Sequence, residues 1–245
     1  ALVGGEPTLR KDIFKILEIT HKYGHMAFMA NNGKRFAKSL QYTQEFAEVA
    51  RRGQTRISID ISCGYDHKIS DIIFNEDIVD TKQKALERIL ETRLGRVMIT
   101  CVLIRGVNES AVPDLLDMSK KFRRVVRTVK LRAQGHVGRW IDETHPYQTQ
   151  EMLELLEQHI DRELIYKDVT LGPGMDERCM GKTCCFHFKP WRGLEIDVLE
   201  CYTDKGTCWR KGRLNDSGTV EPVFVSYEAM TKDMSIESYA STLTK

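Results

Sequence analysis

The sequence has no apolar run long enough to cross a bilayer, which excludes a membrane-spanning helix. It has almost no net charge, with 37 Lys and Arg against 35 Asp and Glu, so charge gives no reason to expect a nucleic-acid partner. It has no repeat and no low-complexity stretch, so solenoid and fibrous classes are out. No signal peptide is visible, although a chain that opens inside a strand would not show one. Cysteines are few and odd in number, 7 in all, which argues against a disulfide framework. Reduced thiols or metal ligands in a cytoplasmic protein are the expectation. His21, His25, His67, His145 and His159 lack metal-ligand spacing, and His21 and His159 are expected on helix surfaces. The 245 residues suffice for one large domain, or for one with a small appendage.

What is present is an alternation of helical and strand patterns. Leu9, Ile13, Ile16 and Leu17 share a helical face, and Gly24 ends it. His25 to Ala30 reads as a strand closed by the turn Asn31-Asn32-Gly33. Phe36, Leu40, Ala47 and Ala50 predict one weaker helix, closed by Gly53. Strands are predicted at Arg56 to Ile61, Arg96 to Ile104 and Val125 to Leu131. The first is followed by a loop holding Gly64 and Asp66. Helices are marked by Ala85, Leu86, Ile89 and Leu90, by Val112, Leu115, Leu116 and Phe122, and by Met152, Leu156 and Ile160. Such spacing means a parallel sheet, either an open doubly wound sheet or a barrel. After about residue 166 the character changes. Cys179, Cys184, Cys185, Cys201 and Cys208 crowd together, and strands are expected at Leu194 to Cys201 and Val220 to Ser226. This reads as a small cysteine-rich C-terminal appendage.

Several groups carry chemistry. The chain opens on a short apolar run, then Gly4-Gly5-Glu6-Pro7, then a helical pattern. Glycines allow close backbone approach to a ligand, and Glu6 supplies an acceptor suited to an ammonium. Alternation puts Ile57, Ile59 and Ile61 on one strand face and Ser58, Asp60 and Ser62 on the other. A barrel core is usually apolar, so that polar row suggests a hydrated or ligand-filled lumen. Asp60 either serves a ligand or caps a loop and pairs with a lysine. Thr128, Lys130 and Arg132 also share a face. Two cations there bind an anion, or pair with Asp60 and Glu6. The late cysteines, with His187 as a further ligand, either hold iron–sulfur or zinc or are free and partly buried.

Gly4-Gly5-Glu6-Pro7 resembles the GGEP loop of radical S-adenosylmethionine (SAM) enzymes. Ile104, Gly106 and Glu109 are similar to that family's G-x-I-x-G-x-x-E pattern, with Val102 where the first glycine would stand. Asn32-Gly33 resembles its Thr-Asn-Gly turn, with Asn31 in place of the threonine. Gln134-Gly135-His136-Val137-Gly138-Arg139 and the helix opening near Thr149 are similar to the tetraether lipid synthase subgroup. The resemblance decides for the barrel. It implies an α/β fold, a partial (β/α)6 barrel lacking its first strand, over residues 1–165, with the appendage at 166–245. It implies that Gly4, Gly5, Glu6 and Pro7 hold the methionine end of SAM, that Asp60 and Ser62 hold the ribose, and that Ile104 and Gly106 line the adenine. Asn32, Ser58, Lys130 and Arg132 complete the expected cofactor contacts.

The implied reaction is reductive cleavage of SAM by a [4Fe–4S] cluster, giving a 5′-deoxyadenosyl radical that activates a substrate C–H bond. The cluster's C-x3-C-x2-C motif would lie upstream of Ala1. Cys179, Cys184, Cys185, Cys201 and Cys208 would be ligands of an auxiliary cluster or zinc. A low-potential electron donor and a small-molecule, lipid or peptide substrate are the expected partners. One alternative is a degenerate barrel that binds SAM, or another small ligand, without radical chemistry. Another is a barrel aldolase or hydrolase, for which Lys130 is the one well-placed lysine.

Overall fold

Seven helices and eight strands appear in the computed structural model, which describes residue 2 and residues 5–133, 147–160, 185–191, 193–199, 208–214 and 220–223. In chain order they are α1 (Ile13–Lys22), β1 (Phe28–Asn31), α2 (Lys34–Lys38), α3 (Leu40–Gly53) and β2 (Arg56–Asp60), then α4 (His67–Phe74), α5 (Val79–Glu91) and β3 (Val97–Leu103). There follow α6 (Ala111–Lys121), β4 (Val126–Ala133), α7 (Thr149–Glu157), β5 (Cys185–Trp191), β6 (Leu194–Leu199), β7 (Cys208–Leu214) and β8 (Val220–Val223).

Six strands form one sheet in the order β1-β2-β3-β4-β6-β5. The first five run parallel, and β5 closes the edge antiparallel. Leu2 adds a parallel bridge to Met29 of β1. This is the parallel sheet that the alternating pattern requires, and it is consistent with the partial barrel that the resemblance implies. The outward faces carry Ile57, Ile59, Val97, Ile99, Val129, Leu131, Ile196 and Val198, each at most 1% exposed beneath the helices. Inward, β2, β4 and β6 carry Ser58, Asp60, Thr128, Lys130, Glu195 and Asp197, while β1 and β3 add the apolar Ala30, Met98 and Val102 beside Thr100. In β4 one extra residue, Arg127, shifts the register: Val97 pairs with Val126, but Met98 pairs with Thr128. The shift sets the inward parity of Thr128, Lys130 and Arg132.

Local capping explains where the helices differ from the pattern. The stripe from Phe36 to Gly53 is two helices, because the Ser39 hydroxyl accepts from Tyr42 N at 3.1 Å and starts a new one. The predicted loop after β2 contains α4, started by Asp66, whose Oδ1 accepts from Lys68 N at 2.8 Å and Ile69 N at 3.0 Å. His21 is half-buried against the barrel wall, where its Nε2 lies 2.9 Å from Thr55 Oγ1. That corrects the expected surface position. The ring also explains Gly53: a Cβ there would stand 1.8 Å from His21 Cγ.

The C-terminal region differs from expectation in one respect that matters for the site. The strand at Leu194 pairs in parallel with β4 and so extends the barrel sheet beyond residue 165. β7 and β8 form a separate antiparallel pair. Cys179, Cys184 and Cys201 lie outside the described residues, as do the side chains of Cys185, His187 and Cys208.

Candidate functional site

In a parallel barrel, ligands are held at the carboxyl ends of the strands. Here those ends bring together the loop at Gly5–Pro7, the turn at Asn32, Asp60 to Ser62, and Ile104 to Glu109.

Glu6 organises the first corner. Its Oε1 accepts from Thr8 N at 3.0 Å and from Thr8 Oγ1 at 2.6 Å, which starts a 3-10 turn at Pro7–Leu9. Its Oε2 accepts from Asn32 N at 2.7 Å and so ties this loop to the turn after β1. A carboxylate offers about four acceptor sites, so these bonds leave capacity for an ammonium. Gly5 has φ +51°, and a Cβ there would meet nothing within 4 Å. The backbone therefore borders open space. Gly4 lies outside the described residues. Asn32 uses Oδ1 to accept from Lys34 N, and Asn31 Nδ2 donates to Ser58 O at 3.1 Å.

At the second corner, Asp60 Oδ1 accepts from Ser62 N at 2.9 Å and from Ser62 Oγ. The Ser62 hydroxyl also accepts from Val102 N at 2.8 Å, and the residue is 1% exposed. Ser62 is thus occupied in holding Asp60 and β3. No described residue donates to Asp60 Oδ2. Ser58 Oγ lies 2.7 Å from Thr100 Oγ1. Behind the sheet, Lys82 of α5 is 1% exposed; its Nζ donates to the Asp60 carbonyl and lies 4.0 Å from the Phe74 ring centroid. Lys82 shares a helical face with Val79 and Leu86, and that placement was the available sequence signal.

The third corner rests on two residues the motif reading passed over or used only as a pattern match. Asn108 is fully buried. Its Oδ1 accepts from Ile104 N at 2.7 Å, and its Nδ2 donates to Ser62 O at 2.8 Å and Val102 O at 2.9 Å. Glu109 Oε1 accepts from Gly106 N and from the Tyr147 hydroxyl. Gly106 has φ +72°, a conformation that favours glycine. Arg105 lies 4.2 Å above the Tyr147 ring and bonds both oxygens of Glu151 at 2.8 Å. The loop after β3 is therefore fastened to the start of α7.

Burial pushes the Glu109 carboxyl up, but the hydrogen bonds from Tyr147 and Gly106 outweigh it and hold it below its ordinary value. Burial, then Glu109, pushes the Tyr147 hydroxyl well up. A depressed folded-state carboxyl stabilises the fold above its unfolded value of 4.5, and that contribution is lost as pH falls through the folded value. Melting curves from about pH 6 to about pH 3 should therefore show a smaller acid loss for Glu109→Gln than for wild type. Equal slopes would mean that Glu109 does not hold this loop.

The fourth wall is β4 with β6. Lys130 and Arg132 both face inward; Lys130 is half-buried and Arg132 exposed at the mouth. Register aligns Asp60 with Thr100, Thr100 with Lys130, and Lys130 with Asp197. Asp197 is 7% exposed. One row lower, Thr128 Oγ1 donates to Glu195 Oε2 at 2.9 Å, which fixes the same inward parity for both strands. Neither acid of β6 was singled out from the sequence.

Among the described residues no group of three or more His, Cys, Asp or Glu could hold a metal ion. Cys63 and Cys101 are buried free thiols, each pushed up chiefly by burial. These residues do not fit a cluster. The strand ends present instead an open glycine backbone at Gly5 and an Asp60 carboxylate whose Oδ2 has no donor among the described residues.

The fold is that of a partial parallel barrel with polar side chains at the carboxyl ends of its strands. No family model matches the chain. GTP 3′,8-cyclase of Shewanella denitrificans is 30% identical over 146 residues, 59% of this chain and 41% of that protein. The 7,8-dihydro-6-hydroxymethylpterin dimethyltransferase of Methanocaldococcus jannaschii is 24% identical over 170 residues, 67% of this chain and 32% of that protein. GTP 3′,8-cyclase of Clostridium botulinum is 24% identical over 150 residues, 61% and 45% of the two chains. The match thus spans less than half the length of these curated relatives. Both kinds are radical SAM enzymes, and the similarity supports that superfamily for this chain. Among the described residues no helix is long and apolar enough to cross a membrane.

Proposed function

We propose that this chain is the SAM-binding barrel of a radical SAM enzyme that acts on a small polar heterocycle. The observation that carries the reading is the Asp60 carboxylate, anchored through one oxygen and open to the lumen through the other. It stands in one frame with the Glu6 loop and the turn at Gly106. Held there with the family's [4Fe–4S] cluster and a low-potential electron donor, SAM would supply radical chemistry for hydrogen abstraction from a substrate C–H bond. The described residues offer no ligands for that cluster, so their part is confined to binding, orientation and exclusion of water.

In this reading Glu6 and the backbone at Gly5 take the methionine end, and Asp60 Oδ2 accepts from the ribose hydroxyls. Ser62 positions Asp60. Asn108 and Glu109 shape the Ile104–Gly106 backbone for the adenine. The residues from 166 to 245 would form, in part, an appendage whose cysteines hold an auxiliary cluster or zinc. The named substrates of the relatives, GTP and a dihydropterin, are both nitrogen heterocycles. The polar lumen suits such a molecule better than a lipid chain.

Calorimetric titration of the full chain with SAM tests the reading. Wild type should bind. Asp60→Asn should bind about tenfold more weakly, with an unchanged melting temperature, because a charge-assisted hydrogen bond is lost. Absence of SAM binding by folded wild type, or equal affinity in Asp60→Asn, would sink it.

A further inference from the structure

We propose that the amino end of the barrel, opposite the candidate site, is a docking surface for an anionic membrane. This goes beyond the reading of the site and rests only on where charged and apolar side chains stand.

Strands β1 to β4 run parallel and each follows a helix, so the helices end and the strands begin at one end of the sheet. The four connections into those strands are residues 19–27, 51–56, 92–96 and 120–127, and none contains an Asp or Glu. Arg56, Arg93, Arg96, Arg123, Arg124 and Arg127 stand there, all exposed. The connections are neighbours in space. Arg56 N donates to Ala27 O at 2.9 Å and Val97 N to Val125 O at 3.0 Å. Arg51 donates to Thr92 O at 3.0 Å and Arg96 to Gln54 Oε1 at 2.8 Å. Strands lie about 4.8 Å apart, so four strand starts form a face about 14 Å across.

Among the described residues, none of these six arginines pairs with a carboxylate. Cations in a last helical turn, such as Arg51, Arg52 and Lys121, offset the negative end of the helix dipole. The six lie beyond the helix C-caps, so that role does not account for them. The other end has the opposite sign. Residues 60–80, from the end of β2 to the start of α5, hold Asp60, Asp66, Asp71, Glu76, Asp77 and Asp80 against one lysine. The near-zero net charge of the chain conceals this asymmetry.

Apolar side chains favour a bilayer over a nucleic acid. Tyr23 is 70% exposed and Met26 56%, between α1 and β1, and Ile19 is exposed one turn earlier. Met26 adjoins Ala27, whose carbonyl takes the Arg56 N–H. Nucleic-acid phosphates satisfy the arginines but offer nothing to Ile19 and Met26. A membrane takes both: headgroups meet the cations, and the acyl boundary takes protruding apolar and tyrosine side chains. Docked this way, the barrel turns Glu6 and Asp60 away from the bilayer, toward water.

Flotation of the full chain with vesicles tests the proposal. It should bind phosphatidylcholine vesicles that contain phosphatidylglycerol, and not phosphatidylcholine alone. Raising salt from about 0.05 M to about 0.5 M should release it. Each cation at such a surface is worth about fivefold in affinity, so Arg123→Gln with Arg124→Gln should weaken binding about twentyfold. Arg93→Gln with Arg96→Gln should do the same. Lys11→Gln with Lys68→Gln removes as much charge from exposed positions at the other end and should leave binding unchanged. Met26→Ser should weaken binding and keep its salt dependence. No binding to the anionic vesicles, equal binding to both kinds, or equal losses from the two ends overturns the proposal. Tighter binding of a random-sequence RNA than of the vesicles, lost in the same arginine variants, overturns it in favour of nucleic acid. If one arginine pair does not fold, the other decides. Every outcome is read without SAM, so the reading of the site stands or falls separately.

Discussion

Asn108→Ala is expected to lower the stability of the chain by about 3–5 kcal/mol in denaturant unfolding. The amide is wholly buried and makes three hydrogen bonds to the backbone, to Ile104 N, Ser62 O and Val102 O, besides a 3.9 Å contact to Cys101 Sγ. Alanine leaves an amide hydrogen and two carbonyls without it. Each buried polar group left unsatisfied costs about 1–3 kcal/mol, and Val102 is only partly buried, which trims the sum. The same three bonds join the end of β2 to the loop after β3, so ligand affinity should fall with stability. Asn108→Asp keeps the acceptor for Ile104 N but sets a buried carboxylate oxygen against the carbonyls of Ser62 and Val102, so it should cost at least as much as alanine at neutral pH. A loss below about 1 kcal/mol for the alanine variant would show that water replaces the amide, and the frame would need another explanation.

Gly64→Ala is expected to cost about 3 kcal/mol, read as a lowered melting temperature. Gly64 has φ +56°, which by itself penalises any side chain. A Cβ there would also lie 2.4 Å from Asp114 Oδ2, 2.9 Å from Asp114 Cβ and 3.1 Å from Ala111 Cα. Asp114 cannot simply swing away, because its Oδ2 accepts from Tyr65 N at 2.8 Å. The start of α6 therefore clamps the loop that follows Ser62. Gly64→Ala combined with Asp114→Ala should cost less than the sum of the two single changes, since part of the clash is removed. Wild-type stability in Gly64→Ala would refute the tight packing of this loop on α6.

Much of the barrel was legible in the sequence because its signals are periodic. Ile57, Ile59 and Ile61 against Ser58, Asp60 and Ser62 is a plain alternation, and the structure keeps that parity. Signals carried by one residue were harder. The break at Ser39 and the helix started by Asp66 each depend on a single cap, inside stretches whose hydrophobic pattern pointed elsewhere. β6 alternates clearly, yet its partner β4 lies about sixty residues earlier in the chain, and no local pattern announces that pairing. Asp197 went unnoticed for the same reason. Asn108 reads as an ordinary turn residue, because nothing in Gly-Val-Asn-Glu distinguishes a buried amide from an exposed one. Of the groups that the GGEP-like loop suggested, Glu6 bonds the turn at Asn32, and Ser62 and Asn108 tie the ends of β2 and β3 together.

Lys82 adds a consequence for how such a barrel tolerates change. Its ammonium sits in the helix layer, sealed from solvent, and grips the far side of the strand that presents Asp60. The wall between helices and lumen is one peptide thick at that point. A positive charge on its outer surface contributes to the potential felt on its inner surface, with little water between to screen it.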